Sequence, residues 1–219
     1  MNPAPSSYDL VIFDCDGVLI DSEPIANRVF AKQLSTLGLA LSTDEVMRRF
    51  VGRTRDGCLA MAAEILGRDL PEDFAAGWDT ALFAALGNEV RAIDGIPELI
   101  GRIGLPFCVA SNSTHHRVRV SLEAAGLLAL FEGKMFSSED VAKPKPAPDL
   151  FLHAARTMGA SPSRCVVIED TPTGVRAAVA AGMQVFGFAG GAHSDPAVLR
   201  AEGATVFSDM QSLAALFAA

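Results

Sequence analysis

Val11-Ile12-Phe13-Asp14-Cys15-Asp16-Gly17-Val18-Leu19 is an apolar strand that ends abruptly in two aspartates with a single residue between them. Carboxylates that close repel one another unless a cation or a shared proton lies between them, so a divalent metal is the expected compensation. Gly17 lets the backbone turn tightly and frees amides to face an anion beside the metal. An isolated Asp-x-Asp also occurs in ordinary turns. The reading therefore depends on what the rest of the chain adds.

Three later segments add chemistry of the same kind. Val109-Ala110-Ser111-Asn112-Ser113 closes an apolar run with a hydroxyl, Lys143-Pro144-Lys145-Pro146-Ala147-Pro148-Asp149 carries Lys145, and Cys165-Val166-Val167-Ile168 delivers Glu169-Asp170. From about Ile93 onward, short apolar runs alternate with helical patterns. Strands are predicted over 106–110, 135–136, 165–168, 184–188 and 205–207, and helices over 115–125, 149–158 and 174–181, with Asp209 capping a last helix through Leu216. Near-continuous apolar strands in this rhythm predict an α/β fold whose core is a doubly wound, Rossmann-like parallel sheet. The acids, the serine and the lysine fall at strand C-terminal ends or in the loops beyond them, where open α/β sheets bind ligands.

Between Ser22 and about Asn88 the rhythm changes. Helical patterns run through Ile25, Val29, Leu34 and Leu37, then through Leu59, Ala63 and Leu66 before Gly67, then through Phe74, Trp78, Leu82 and Leu86, stopping near Gly87. The expected division is a catalytic core of residues 8–21 and 89–219 with a helical domain, 22–88, inserted after the first strand.

Composition bounds the function. The 219 residues are half hydrophobic, enough to bury a substantial interior, and 18 Lys plus Arg against 26 Asp plus Glu give a formal net charge of −8. That charge, with no basic stripe, argues against nucleic-acid binding. The N-terminal Met1–Ser7 is short and polar and the run Leu10–Phe13 is too short for a signal h-region or a membrane span, so the expected location is cytoplasmic with no membrane partner. Cys15, Cys58, Cys108 and Cys165 lack the paired spacing of a zinc or redox site and read as buried structural thiols; in an extended segment the Cys15 side chain faces away from both aspartates.

In this order, Asp-x-Asp-Gly, Ser, Lys-Pro-x-Pro-x-x-Phe and Glu-Asp-x-x-x-Gly resemble the four motifs of the haloacid dehalogenase superfamily. Within it, Asp21-Ser22-Glu23 and Ala181-Gly182-Met183 look like the sugar-phosphate phosphatases and the β-phosphoglucomutase-like group, and the likeness runs from Asp9 to about Phe207. The resemblance implies a Mg2+ cofactor, a small phosphorylated metabolite as substrate, and a helical C1 cap that closes over the site and selects it. Asp14 would be the nucleophile that forms an aspartyl-phosphate, and Asp16 the acid that protonates the leaving alkoxide and then activates water. Asp14, Asp16, Glu169 and Asp170 would serve the metal, with Asp16 contributing its backbone carbonyl. Ser111, Asn112 and Lys145 would bind phosphate, and Glu23, Arg53 and Arg55 of the cap would meet the substrate. Lys143 competes with Lys145, but only Lys145 completes Lys-Pro-x-Pro-x-x-Phe at Phe151, and Lys143 is expected to be exposed.

The nearest alternative is a hexose-phosphate mutase. Mutases of this group carry a histidine on the first cap helix and a lysine after the serine motif, where this chain holds Ala26 and Thr114, although Arg55 matches a phosphate-gripping arginine of theirs. A dehalogenase lacks the second acid, here Asp16; a phosphonoacetaldehyde hydrolase replaces it and uses a cap lysine, and this cap has only Lys32. A non-catalytic binding module leaves the full acid, hydroxyl and lysine set without a purpose. His115 and His116 read as helix-surface residues near the site's rim, and His153 and His193 take no role. Nothing in the pattern sets an oligomeric state.

Overall fold

The computed structural model describes residues 8–50, 53, 55–191 and 194–217. The chain runs β1 (Leu10–Phe13), α1 (Glu23–Thr36), α2 (Thr43–Phe50), α3 (Arg55–Leu66), α4 (Phe74–Glu89), α5 (Ile96–Arg102), β2 (Phe107–Ser111), α6 (His115–Ala124) and α7 (Leu128–Phe131). It continues through β3 (Met135–Ser137), α8 (Asp149–Thr157), β4 (Cys165–Glu169), α9 (Pro172–Ala180), β5 (Gln184–Phe188), α10 (Pro196–Ala201), β6 (Thr205–Phe207) and α11 (Met210–Phe217). It forms two compact units, Met1–Asp21 with Arg91–Ala219, and Ser22–Val90.

The first unit is the parallel α/β sheet. Its six strands pair in the order β3-β2-β1-β4-β5-β6, with Ile12 opposite both Cys108 and Val167. Every residue of β1 and β4 is buried, as a parallel strand covered on both faces requires. Leu10, Ile12, Cys108, Ala110, Cys165 and Val167 join one apolar cluster with Ala154 and Ala155 of α8 and Ala177 and Ala178 of α9. Alanines at these places let helix and sheet approach closely. The alternate residue Phe13 packs edge-on against Phe107 and Phe131 at 6.4 Å each. Each fully buried Ile or Phe contributes about 1.5–3 kcal/mol.

The order of the strands places the site. From β1 the chain moves outward to β2 and β3, then returns across the sheet to β4 on the other side of β1. Loops leaving β1 and β4 therefore diverge, opening a crevice at their C-terminal ends.

The second unit is helical. Phe30 of α1 stacks on Trp78 of α4 at 4.2 Å and meets Phe50 of α2 edge-on at 5.1 Å. Among its described residues it holds four helices where the apolar periodicity predicts three. The additional α2 buries only Val46 and Phe50, so its stripe is short, but Ser42 and Glu45 cap it reciprocally: Glu45 N–H donates to Ser42 Oγ at 3.2 Å, and Ser42 N–H donates to Glu45 Oε2 at 2.9 Å. Nor does Gly87 end α4, which continues to Glu89, whose carboxylate pairs with Arg28 of α1 at 2.5 Å. Among the described residues no helix is long and apolar enough to cross a membrane. All four cysteines are buried and none forms a disulfide.

Candidate active site

Asp14 follows β1 directly, and its N–H donates to Ile168 O at 2.9 Å, so the β1–β4 ladder fixes its backbone. Lys145 comes to it from the loop before α8. The ammonium donates to Asp14 Oδ1 at 2.5 Å, to Glu169 Oε1 at 2.8 Å and to Ala110 O at 2.8 Å, and lies 4.7 Å from the centre of the Phe151 ring. Three protons thus have three acceptors. Among the described residues Lys145 is the one buried lysine or arginine, and it sits among three buried acids, Asp14, Glu169 and Asp170. Lys143 is exposed.

Burial by itself disfavours the Lys145 ammonium, but Asp14 and Glu169 more than offset it, and the lysine stays charged well past its ordinary range. Burial pushes the Asp14 carboxyl upward, Glu169 and Asp170 add to the rise, and Lys145 counters it. Burial raises the Cys15 thiol too, reinforced by Asp16 and Asp14, which keeps it protonated.

The other oxygen of Glu169 is also engaged. Oε2 accepts the N–H groups of Asp170 and Thr171 at 3.0 and 2.9 Å and the Thr171 hydroxyl at 2.9 Å, while Thr171 Oγ1 accepts the Gly174 N–H at 3.1 Å as the N-cap of α9. Gly174 is required by space: a Cβ there would run into the Glu169 carboxylate.

Asp16 immediately precedes a turn in which Gly17 adopts φ +81°, a left-handed conformation that favours glycine. The Gly17 N–H donates to Ile20 O at 2.8 Å, so this amide closes the tight turn. Asp16 Oδ2 accepts the Ser113 hydroxyl at 3.0 Å and Oδ1 accepts Arg117 Nη2 at 3.1 Å. Behind them, Ser137 at the end of β3 donates its hydroxyl to Ser113 O at 2.8 Å, and its N–H donates to Asp140 Oδ2 at 2.8 Å. Ser113, Arg117 and Ser137 went unread in the sequence. Only Ser137 carries a local signal, a serine ending an apolar strand.

Ser111, the last residue of β2, is buried and accepts the Ser113 N–H at 3.1 Å. Asn112 bonds the main chain of Lys145. In the helical unit, Glu23 opens α1 and accepts from Asn27 at 3.4 Å, and Arg53 is exposed. Arg55 gives its guanidinium to Asp79 at 3.0 and 2.5 Å and to Asp56 at 3.4 Å. His115 pairs with Asp140 at 2.9 Å, His153 lies against Phe136 and Arg156, and His193 falls outside the described residues.

The site therefore joins a carboxylate pinned by a buried ammonium to a second carboxylate held at the rim by a hydroxyl and a guanidinium. Nucleophilic and proton-transfer chemistry on an anionic substrate suits that arrangement.

Comparison with known proteins agrees with this chemistry. The chain is 33% identical over 194 residues to a 6-phosphogluconate phosphatase of Escherichia coli (strain K12), covering 88% of each protein. A crystal structure of a haloacid dehalogenase-like protein from Agrobacterium tumefaciens str. C58 superposes with a TM-score of 0.86 at 39% identity, over 96% of this chain and 98% of that one. A family hydrolase from Deinococcus radiodurans R1, crystallised with bound phosphate and sodium, superposes with a TM-score of 0.83 at 36% identity, over 97% and 99%. The model of the haloacid dehalogenase-like hydrolases matches residues 8–182, a span that takes in β1, Ser111, Lys145 and Glu169-Asp170, and the chain belongs to that family.

Proposed function

We propose that the protein is a magnesium-dependent phosphatase that hydrolyses a small phosphorylated metabolite, a sugar phosphate, through an aspartyl-phosphate on Asp14. One observation carries this reading: two aspartates at the end of β1 stand in different settings, Asp14 against a buried ammonium and Asp16 on Ser113 and Arg117. Acids in unlike environments can divide nucleophilic and proton-transfer work between them. The likeness to a 6-phosphogluconate phosphatase supports a sugar or sugar acid as the carrier of the phosphate.

In the first step an Asp14 oxygen attacks phosphorus, the bond from phosphorus to the ester oxygen breaks, and protonated Asp16 gives its proton to the departing alkoxide. In the second, Asp16 as carboxylate takes a proton from water, the water oxygen attacks phosphorus, and the bond to Asp14 breaks. Inorganic phosphate leaves and both acids return to their starting state. Lys145, bonded to Asp14, supplies fixed positive charge beside the phosphoryl group, and the Ser111 hydroxyl supplies a donor where negative charge is redistributed.

The donor set suits Mg2+: hard oxygens, and three buried acids against one buried lysine. Asp14 and Asp170 would hold it, with the Asp16 backbone carbonyl that the family resemblance implies and with water; when bound, it neutralises charge on the phosphoryl group. Among the described residues no group of three acids, histidines or cysteines forms a ready-made metal cage. Mg2+ usually takes only one or two carboxylates and keeps several waters, so such a cage is not required. Glu169, engaged at both oxygens, acts in this scheme through Lys145.

The test is a phosphate-release screen over sugar, sugar-acid and polyol phosphates, with Mg2+ and with chelator. Release from a hexose 1-phosphate without formation of the 6-phosphate, even with a bisphosphate primer, is expected. Rapid isomerisation with negligible release would make the protein a mutase, and chelator-insensitive turnover would remove the metal from the mechanism.

A further inference from the structure

Asn112 lies between two segments of the site, and both ends of its amide meet one residue. Nδ2 donates to the main-chain carbonyl of Lys145 at 3.0 Å, and Oδ1 accepts the Lys145 N–H at 3.0 Å. A side chain here does for Lys145 what a neighbouring strand would do, pairing donor and acceptor of a single residue. Two positions earlier the Ala110 carbonyl receives the ammonium of the same lysine at 2.8 Å. Lys145 is gripped at its backbone by one residue of Ala110-Ser111-Asn112 and at its tip by another. Its own loop is proline-rich and becomes helical only at Asp149, so helix hydrogen bonds do not hold its main chain. Lysine is a point charge on a flexible four-carbon stem, and its place depends on where that stem is anchored.

We infer that Asn112 is a positioning residue for Lys145, setting the reach of the ammonium from the end of β2, and that it does not itself bind the phosphoryl group. The inference deepens the phosphatase reading, since Lys145 matters to turnover only if that reading holds. Asn112 is exposed, so replacing it leaves no buried hole, and its variants should fold.

The experiment uses the full chain labelled with 15N-lysine, in which Lys32, Lys134, Lys143 and Lys145 are the four lysines. Buried and bonded at three points, the Lys145 ammonium should exchange slowly with water and give a signal identified by its loss in Lys145→Met. Asn112→Ala removes both bonds; Asn112→Asp keeps the acceptor but sets a second acceptor against the Lys145 carbonyl. Both variants should shift or broaden the Lys145 ammonium signal, and kcat should fall about tenfold to a hundredfold, as small misplacements of catalytic groups cause. KM and inhibition by inorganic phosphate should weaken by less than kcat falls, because the Lys145 charge is displaced but still present. An unchanged ammonium signal overturns the inference, and inhibition by inorganic phosphate weakened about tenfold beside that unchanged signal makes Asn112 a phosphate ligand instead. If the wild-type enzyme releases phosphate from no ester, the functional reading fails, while the ammonium signal still decides whether Asn112 positions Lys145.

Discussion

At the floor of the site the side chains of Lys145, Asp14 and Glu169 are 3%, 10% and 1% exposed, whereas at the rim those of Asp16 and Arg117 are 26% and 31% exposed. Both regions are ion pairs built around an aspartate, and the two aspartates are two residues apart in the chain. Removing charges from water costs several kcal/mol per ion, so the floor must satisfy each group with close, fixed partners. At the rim water still screens the pair, and a carboxylate there can exchange a proton without leaving an uncompensated charge in the interior. In the proposed mechanism this difference suits a rigid nucleophile below and a proton carrier above.

The largest effect expected from this comparison is on Asp14. Asp14→Asn keeps the volume but cannot supply the attacking oxygen, and phosphate release should fall by about 10⁴-fold or more, with a cooperative melt retained. A phosphoryl-enzyme trapped on the wild-type protein should carry its label on Asp14; a label on Ser111 or His115 would break the assignment.

Gly174→Ala tests whether the floor is as rigid as its geometry implies. The new Cβ collides with the Glu169 carboxylate, and neither Glu169 nor α9 can yield without disturbing Lys145. A loss of about 1–3 kcal/mol in denaturant unfolding is expected, as for other overpacked sites. Unchanged stability would mean that the floor adapts.

Arg117→Ala should act more gently and through chemistry. A half-exposed bond to a charged group is worth about a tenfold change in kcat. The loss should be greater for alkyl phosphates, whose leaving group needs a proton, than for p-nitrophenyl phosphate, whose leaving group does not. Equal losses on both substrates would remove Arg117 from the support of Asp16.

The smallest effect belongs to a surface pair. Arg164 donates to both oxygens of Asp9 at 2.5 and 2.7 Å, and that hydrogen bond holds the Asp9 carboxyl below its ordinary range. A depressed carboxyl contributes stability that is complete above its unfolded pKa and lost as pH falls through its folded one. The stability difference between wild type and Arg164→Ala should therefore be full near neutrality and fade under acid conditions. A difference that grows on acidification would contradict the assignment.

The sheet and the motif-bearing strand ends were legible because their information is local. Val11–Phe13 and Val166–Ile168 are apolar runs with acids at their ends, and Lys145 is separated from Lys143 by the spacing to Phe151. The α2 helix was legible in principle, from Ser42 and Glu45, but its two buried residues are too few for periodicity to reveal. Gly87 misled because a helix held by tertiary packing can absorb one unfavourable glycine. The Asp16–Arg117 bond joins residues 101 apart and the Asn112 bonds to Lys145 join residues 33 apart. Such partners are fixed by which strands become neighbours, and no local pattern encodes them.

The central place of β1 has a consequence for the order in which the chain assembles. Its ladder on one side needs Phe107–Val109 and on the other Cys165–Ile168, whereas the helical unit is contained within Ser22–Val90. During synthesis the helical unit has all its own partners shortly before β1 gains its β2 ladder and long before it gains its β4 ladder. The strand that leads into Asp14 emerges before the rest of the sheet and is completed only when Cys165–Ile168 has been made, and this long-range pairing is of the kind that slows folding.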